Sequence, residues 1–301
     1  METDLLSAYL SSLVTGKPYV VHLHNALNVR WMFHGRPSDP LLMATRPNIL
    51  PGRFWKRVLR AAVQVITIDP ETERVLDELG ISNYRRIPNG VAVRAAPPTP
   101  GQRRETRRKL GLPEDAFVVV FSGVLRRVKN VITLLRAWEV VERVSTAPEL
   151  RLVILGAADN PSNSNEDELR AFVSDRGLRS VTFTGFVGNV DEYLVAADCF
   201  AFPSLVEGMP MALLEAMGTG LPVVVSAIEE HRQLVPSEDF GLVVAPTDHM
   251  ALAASLLALL ADPDRRARLA DRARRRIADG FSNDRSVGRI EGVLREVAEA
   301  R

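Results

Sequence analysis

Short apolar, β-branched runs alternate with stretches of helical periodicity along almost the whole chain. In the first third the pattern predicts strands at residues 19–24, 63–68 and 85–88, with helices at 4–13, 53–62 and 70–79. Beyond residue 115 the rhythm sharpens, and strands are predicted at 117–122, 151–155, 181–184, 199–202, 222–226 and 241–244. Helical stretches separate nearly all of them. Strands alternating with helices are the signature of βαβ units, so the expected class is α/β, with parallel sheets covered by helices on both faces.

The rhythm breaks in AVRAAPPTPGQRR, residues 92–104, where three prolines and a glycine are predicted to form an interdomain linker. This divides the chain into an expected domain at 1–95 and a second at 96–283, with residues 284–301 forming a last helix that returns to the first domain. Its apolar positions Val287, Ile290, Val293, Leu294 and Val297 recur at helical spacing. Three strands are few for a self-sufficient domain, so the first one is expected to be incomplete. The second, with six, can bury its own core.

Composition narrows the function classes. Lys and Arg number 38 against 37 Asp and Glu, a net charge of +1, which argues against nucleic acid as a partner. The arginine-rich stretch 265–276 is interleaved with acids and apolar residues and reads as a solvated helix face. Cys199 is the single cysteine, and no Cys/His cluster has zinc spacing, so neither a disulfide nor a structural metal is expected. The longest apolar run, residues 250–261, suits a buried helix better than a membrane span, and the acidic start lacks the basic region of a secretory signal. A cytoplasmic protein is expected.

In an open parallel sheet, ligands bind outside the carboxyl ends of the strands. The loops following the second-domain strands carry Gly123 with LRRVKN and Lys129, Gly156 with AADNPSNSNED, Gly185 with Phe186, and PSLVEGMPMALLEAM at 203–217. Glycine backbones, a lysine and two carboxylates are thereby expected on one edge. In the last loop, Gly208 permits close approach and Pro210 suits the first turn of a helix, whose free amides favour a phosphate. Glu207 and Glu215 could each accept hydrogen bonds from neighbouring hydroxyls, as a ribose or a sugar ring presents them. Taken alone, either glutamate favours a plainer reading by about two to one, Glu207 as a cap and Glu215 as a surface helix residue. An idle charge inside the apolar run ALLEAMGTGLPVVV would, however, be costly.

The segment 197–235, ADCFAFPSLVEGMPMALLEAMGTGLPVVVSAIEEHRQLV, closely resembles the donor-site region of retaining glycosyltransferases of family 4. Their paired-glutamate motif, E-x7-E, matches Glu207 and Glu215. YRRIPNGV at 84–91, FSGVLRRVKN at 121–130 and VTFTGFVGNVDEYLVAADCF at 181–200 match in the family's order, from about Lys17 to the C-terminus. The resemblance implies the GT-B fold, two Rossmann-like domains, here with the N-terminal one incomplete. It implies a sugar transfer from a nucleotide-diphosphate sugar to a glycan or lipid-linked acceptor, with retention, without a metal or other cofactor, and with a peripheral contact at the inner face of the membrane.

Carried over by position, Glu207 contacts the donor sugar and Glu215 the ribose. Gly208, Met209, Pro210 and Leu214 line the sugar and diphosphate, and Lys129 neutralises the leaving diphosphate. Gly123 admits the backbone, Thr184, Gly185 and Phe186 border the base, and His24 lies near the reacting sugar. Val124 stands where relatives carry an arginine, leaving Arg126 or Arg127 to supply the second cation. The loop after Gly156 lacks a common second glycine, and the front of the first domain is short. An alternative reading is therefore a non-catalytic nucleotide-sugar-binding module. A sugar-nucleotide epimerase shares the fold but fits the matched run less well.

Overall fold

The computed structural model describes residues 11–15, 17–23, 52–147, 149–159 and 164–299. Two compact units emerge, one from residues 1–90 with 281–301 and the other from 91–280. The first strand and helix of the chain were expected at 19–24 and 4–13; His24 and most of that helix lie outside the described residues.

In the first unit β1 (Val20–Leu23), β2 (Gln64–Thr67) and β3 (Tyr84–Arg86) form a parallel sheet in that order, with Val21 opposite Val65 and Ile66 opposite Arg85. Alternation along β2 sends neighbouring side chains to opposite faces. Val65 joins a core with Trp55, Val58 and Leu59 of α1 (Gly52–Ala61) and Val75 and Leu76 of α2 (Pro70–Glu78). Asp69 caps α2 by accepting from the Thr72 amide at 2.8 Å, and Pro70 follows at the first helical position, where a missing N–H costs nothing. Ile66 faces the other way and packs with Ile87 and Val293, the latter from α11 (Asn283–Glu299). Ile290 and Val297 join that contact, whereas Val287 and Leu294, predicted on the same face, are half exposed.

The second unit is a six-stranded parallel sheet ordered β6-β5-β4-β7-β8-β9. Its strands are β4 (Phe117–Ser122), β5 (Leu150–Leu155), β6 (Val181–Gly185), β7 (Cys199–Phe202), β8 (Val223–Ser226) and β9 (Leu242–Val244). Helices α4 (Val131–Val144), α5 (Glu166–Arg176), α6 (Val190–Ala196), α7 (Met211–Thr219) and α8 (Glu229–Leu234) connect them, and α9 (His249–Ala261) and α10 (Pro263–Gly280) follow β9 and close the unit. β4 and β7 are buried throughout except for Ser122, as their uninterrupted apolar sequences require.

One expectation fails at the linker. Residues 100–104 are not linker but the start of α3 (Pro100–Lys109). Thr99 and Gln102 form a reciprocal capping box, and Pro100 opens the helix. The proline that cannot continue a helix is well suited to begin one. Behind α3, Arg107 donates to the Asp198 carboxylate at 2.6 Å, and the same carboxylate accepts from the Val118 amide at 2.8 Å. This buried pair locks the amino ends of β4 and β7.

Candidate functional site

The strand order places the point where the winding reverses between β4 and β7, which pair through Val119 with Cys199 and Val120 with Phe200. A crevice outside the carboxyl ends of two such strands is where an open α/β sheet receives a ligand. The turn after β4 and the loop after β7 therefore build this site together.

The edge is made flat by glycine. The Gly123 amide donates to the Leu155 carbonyl at 3.0 Å, and the Gly156 amide donates to the Gly185 carbonyl at 2.9 Å. Gly156 has φ +128°, and a Cβ there would lie 2.0 Å from the Gly123 carbonyl oxygen. Three strand ends are thus joined through backbone alone.

After β4 the chain makes a single 3₁₀ turn, Arg127–Lys129, and Asn130 takes a left-handed φ of 54°. Its side-chain amide donates to the carbonyls of Pro203, at 3.0 Å, and Pro246, at 2.7 Å, tying this turn to the loops after β7 and β9. The Leu205 amide donates to the Val128 carbonyl at 2.8 Å. So fixed, Lys129 reaches both carboxylate oxygens of Glu207, at 2.7 and 2.8 Å. The Glu207 side chain is only 7% exposed and that of Lys129 20%. The ammonium also lies 5.4 Å from the centroid of the Phe202 ring. These two residues were expected on one edge; their pairing with each other was not foreseen.

Gly208 and Met209 lead into α7, which has no side-chain cap and no acid in its first turn. Pro210 occupies the N-cap position, one residue before the first turn that its sequence suggested. The Met211 amide turns back to the Met209 carbonyl at 2.9 Å. The Leu213 amide likewise donates to the Pro210 carbonyl at 3.0 Å, so what the helix start offers beside Glu207 and Lys129 is chiefly its partial positive charge. Leu214 is fully buried and its amide is taken by the Pro210 carbonyl, so neither faces the edge.

Glu215 is the exposed position on a helix whose following residues, Ala216 to Thr219, are all buried. Although its side chain meets solvent, loss of hydration against the surrounding protein raises its carboxyl pKa above the ordinary value. The charge is not idle in a core, as its apolar neighbours in sequence suggested. It stands at the rim.

The remaining predicted residues are dispersed along the same edge. The Thr184 hydroxyl donates to the Gly185 carbonyl at 2.9 Å, Gly185 has φ +69°, and Phe186 is 87% exposed. Arg126 donates to the Asp159 carboxylate through Nε at 2.9 Å and through a second nitrogen. Arg127 pairs with Glu168 at 2.8 Å. The two cations expected to compensate for Val124 are each held by a carboxylate, and Val124 itself is partly exposed. Asn130, Asp159 and Glu168 escaped the sequence reading, because their partners lie 33 to 116 residues away. His24 lies outside the described residues.

Among the described residues, no group of three or more His, Cys, Asp and Glu side chains is arranged to hold a metal ion, and no helix is long and apolar enough to cross a membrane.

The chain is 31% identical over 242 residues to a D-inositol 3-phosphate glycosyltransferase of Kineococcus radiotolerans, covering 75% of this chain and 55% of that one. It is 28% identical over 206 residues to the Escherichia coli UDP-Gal:alpha-D-GlcNAc-diphosphoundecaprenol alpha-1,3-galactosyltransferase, covering 68% and 52%. Its matched stretch spans about half the length of such relatives. Among solved structures, Anabaena HepE in complex with UDP and glucose superposes with a TM-score of 0.77 at 21% identity, over 98% of this chain and 76% of HepE. The sucrose-phosphate synthase of Thermosynechococcus elongatus gives 0.77 at 24%, over 99% and 73%. These likenesses fix the fold as GT-B. Residues 102–276, most of the second unit, match the family Glycosyl transferases group 1, and the chain belongs to that family.

Proposed function

We propose that this protein is a retaining glycosyltransferase that moves a sugar from a nucleotide-diphosphate sugar to a glycan or lipid-linked acceptor. The observation that carries the reading is the Lys129–Glu207 pair at the reversal point of the sheet, beside the uncapped start of α7. The two charges satisfy each other. A bound donor would divide them: its diphosphate oxygens take Lys129 and the positive end of α7, while sugar hydroxyls donate to Glu207.

The glycosyl–oxygen bond breaks as negative charge gathers on the departing diphosphate. Lys129 and the helix dipole stabilise that charge in a partly dry crevice, which is the electrostatic service a divalent cation gives elsewhere. Nucleotide diphosphate binding is therefore expected without added metal. Glu215 holds the ribose hydroxyls, and Thr184, Gly185 and Phe186 border the base. Gly123 leaves room for the phosphates. His24, which lies outside the described residues, is assigned to the reacting sugar by the resemblance alone. Neither Glu207 nor Glu215 is free to act as a nucleophile, so front-face attack by the acceptor accounts for retention. A lipid-linked acceptor, like that named for the Escherichia coli relative, would bring the protein to the inner face of the membrane.

Calorimetric titration of Glu207→Ala and Glu215→Ala with UDP, GDP, UDP-glucose and GDP-mannose, each with and without chelator, tests this. A lost charge-assisted hydrogen bond is worth about 1.5–3 kcal/mol, or roughly ten- to a hundredfold in affinity. Glu215→Ala should weaken the free diphosphate and the donor alike, and Glu207→Ala only the donor. Equal loss of the free diphosphate in both variants, or a strict magnesium requirement for binding, would refute the assignment. The engagement of Arg126 by Asp159 and of Arg127 by Glu168 favours a second reading, a binding module without turnover. Absence of donor hydrolysis alongside intact affinity would select it.

A further inference from the structure

Beneath the Glu207 loop lies a buried polar chain that the proposed chemistry does not use. His231, on α8, is fully buried. Its Nδ1 lies 3.0 Å from the Ser226 carbonyl oxygen and 3.1 Å from the Ser226 hydroxyl. That hydroxyl donates to the carbonyl of Ser204, in the loop that leads to Glu207. The imidazole also packs on Phe202, with ring centroids 5.4 Å apart, and Phe202 is the ring that Lys129 overlies.

The protons in this chain are determined by elimination. The Ser226 hydroxyl has one hydrogen and gives it to Ser204, so towards His231 it can only accept. The Ser226 carbonyl can only accept. Nδ1 must therefore carry the proton and serve both oxygens, leaving Nε2 as a bare acceptor. Nε2 is buried and has no hydrogen-bond partner among the described residues.

We propose that His231 is a positioning residue for donor binding: a neutral imidazole whose Nδ1–H holds Ser226, and through it the Ser204 carbonyl, in the shape that presents Glu207. Successive groups of the loop are tied in turn, the Pro203 carbonyl by Asn130, the Ser204 carbonyl by Ser226, the Leu205 amide by Val128 and the Glu207 carboxylate by Lys129. The Ser204 tie is the one that leads back to a buried imidazole. Neutrality suits the place, since a second proton on Nε2 would be buried without an acceptor and near Lys129. Desolvation first, and then Lys129, push the imidazole pKa down to about 4.

The consequence for ligand affinity rests on the donor reading above, whereas the tautomer and the loop tie do not. The test compares wild type with His231→Phe, which keeps an aromatic ring without the donor, and His231→Asn, whose amide N–H can replace Nδ1–H. Ring ¹⁵N shifts of the wild type should show a neutral, Nδ1-protonated His231 at pH 7. Amide exchange at residues 205–209 should rise about tenfold in His231→Phe, return to within about threefold of wild type in His231→Asn, and stay unchanged in β4 and β7. UDP-glucose or GDP-mannose, whichever the wild type binds, should bind about five- to tenfold more weakly to His231→Phe and recover in His231→Asn.

A proton on Nε2 in place of Nδ1 would overturn the proposal. So would exchange in His231→Phe that is unchanged at 205–209, or raised evenly through the unit without rescue by His231→Asn. A wild type that binds neither donor would defeat the glycosyltransferase reading, while the exchange and ¹⁵N data would still decide the role of His231 in the loop. Should His231→Phe not fold, the wild-type shifts and the exchange of His231→Asn remain decisive.

Discussion

Replacing Gly156 by alanine should be among the most damaging single-methyl additions in the second unit. Two costs coincide there. The backbone has φ +128°, a region that L side chains rarely occupy, which carries strain of about 1–3 kcal/mol. The added Cβ would also lie 2.0 Å from the Gly123 carbonyl oxygen, where a relaxed carbon–oxygen contact is about 3.3–3.6 Å. Relief requires β4 and β5 to part by more than an ångström at their ends, an overpacking cost of about 1–3 kcal/mol. The two together come to about 2–6 kcal/mol. Gly177 provides the control, for it has φ +63° but nothing within 4 Å of a built Cβ. Gly177→Ala should cost only the left-handed penalty of about 1–2 kcal/mol. Urea denaturation of both variants, followed by a probe of the second unit, gives the comparison. Parting the strand ends would also move the Lys129 turn, so Gly156→Ala should weaken nucleotide diphosphate binding and Gly177→Ala should not. Equal destabilisation by the two substitutions would refute the steric argument.

Two further outcomes follow from buried and rim charges. The Glu215 carboxyl has a folded-state pKa above its unfolded value, so the charged form costs stability above that raised pKa, and nothing is lost below the ordinary carboxylate pKa of about 4.3. Glu215→Gln should thus be more stable than wild type in urea at pH 7, with the advantage gone by about pH 4; a gain independent of pH would show that desolvation is not its cause. Arg107→Leu leaves the Asp198 carboxylate, whose side chain is 9% exposed, with Arg103 at 3.3 Å as its remaining cation and takes the guanidinium donor from the Ala196 and Ala116 carbonyls, and should cost about 1–3 kcal/mol in urea. Because that pair lies at the amino ends of the strands, the folded fraction should bind nucleotide diphosphate as wild type does, and a tenfold loss would contradict the placement.

The sheet was legible because its strands are uninterrupted apolar runs with glycine or a polar loop at each end. The residues predicted for β4 and β7 are those observed, and the other described strands shift by one or two at their ends. Pro100 was misread for a local reason: proline excludes helix before it and favours helix after it, and composition alone does not distinguish the two. Glu215 was expected in an apolar setting and is exposed instead, since the neighbours of a helical residue in sequence point elsewhere around the axis. The Lys129–Glu207 pair, the Arg126–Asp159 pair and the Ser204–Ser226–His231 chain were invisible because each joins segments that follow different strands. Sequence shows which strand end each loop follows. It does not show which side chains those loops share.

The first unit is assembled from two stretches of chain separated by the whole of the second. Among the described residues, Ile66 and Ile87 find their third buried core partner, Val293, on α11, and Ser286 reaches back to the Pro88 carbonyl at 2.8 Å. During synthesis, which runs from the N-terminus, residues 91–280 can complete their sheet while that face of β2 still lacks its cover. For that interval the apolar side chains of Ile66 and Ile87 are what a chaperone would see, and a stop codon anywhere before α11 would leave them permanently in view.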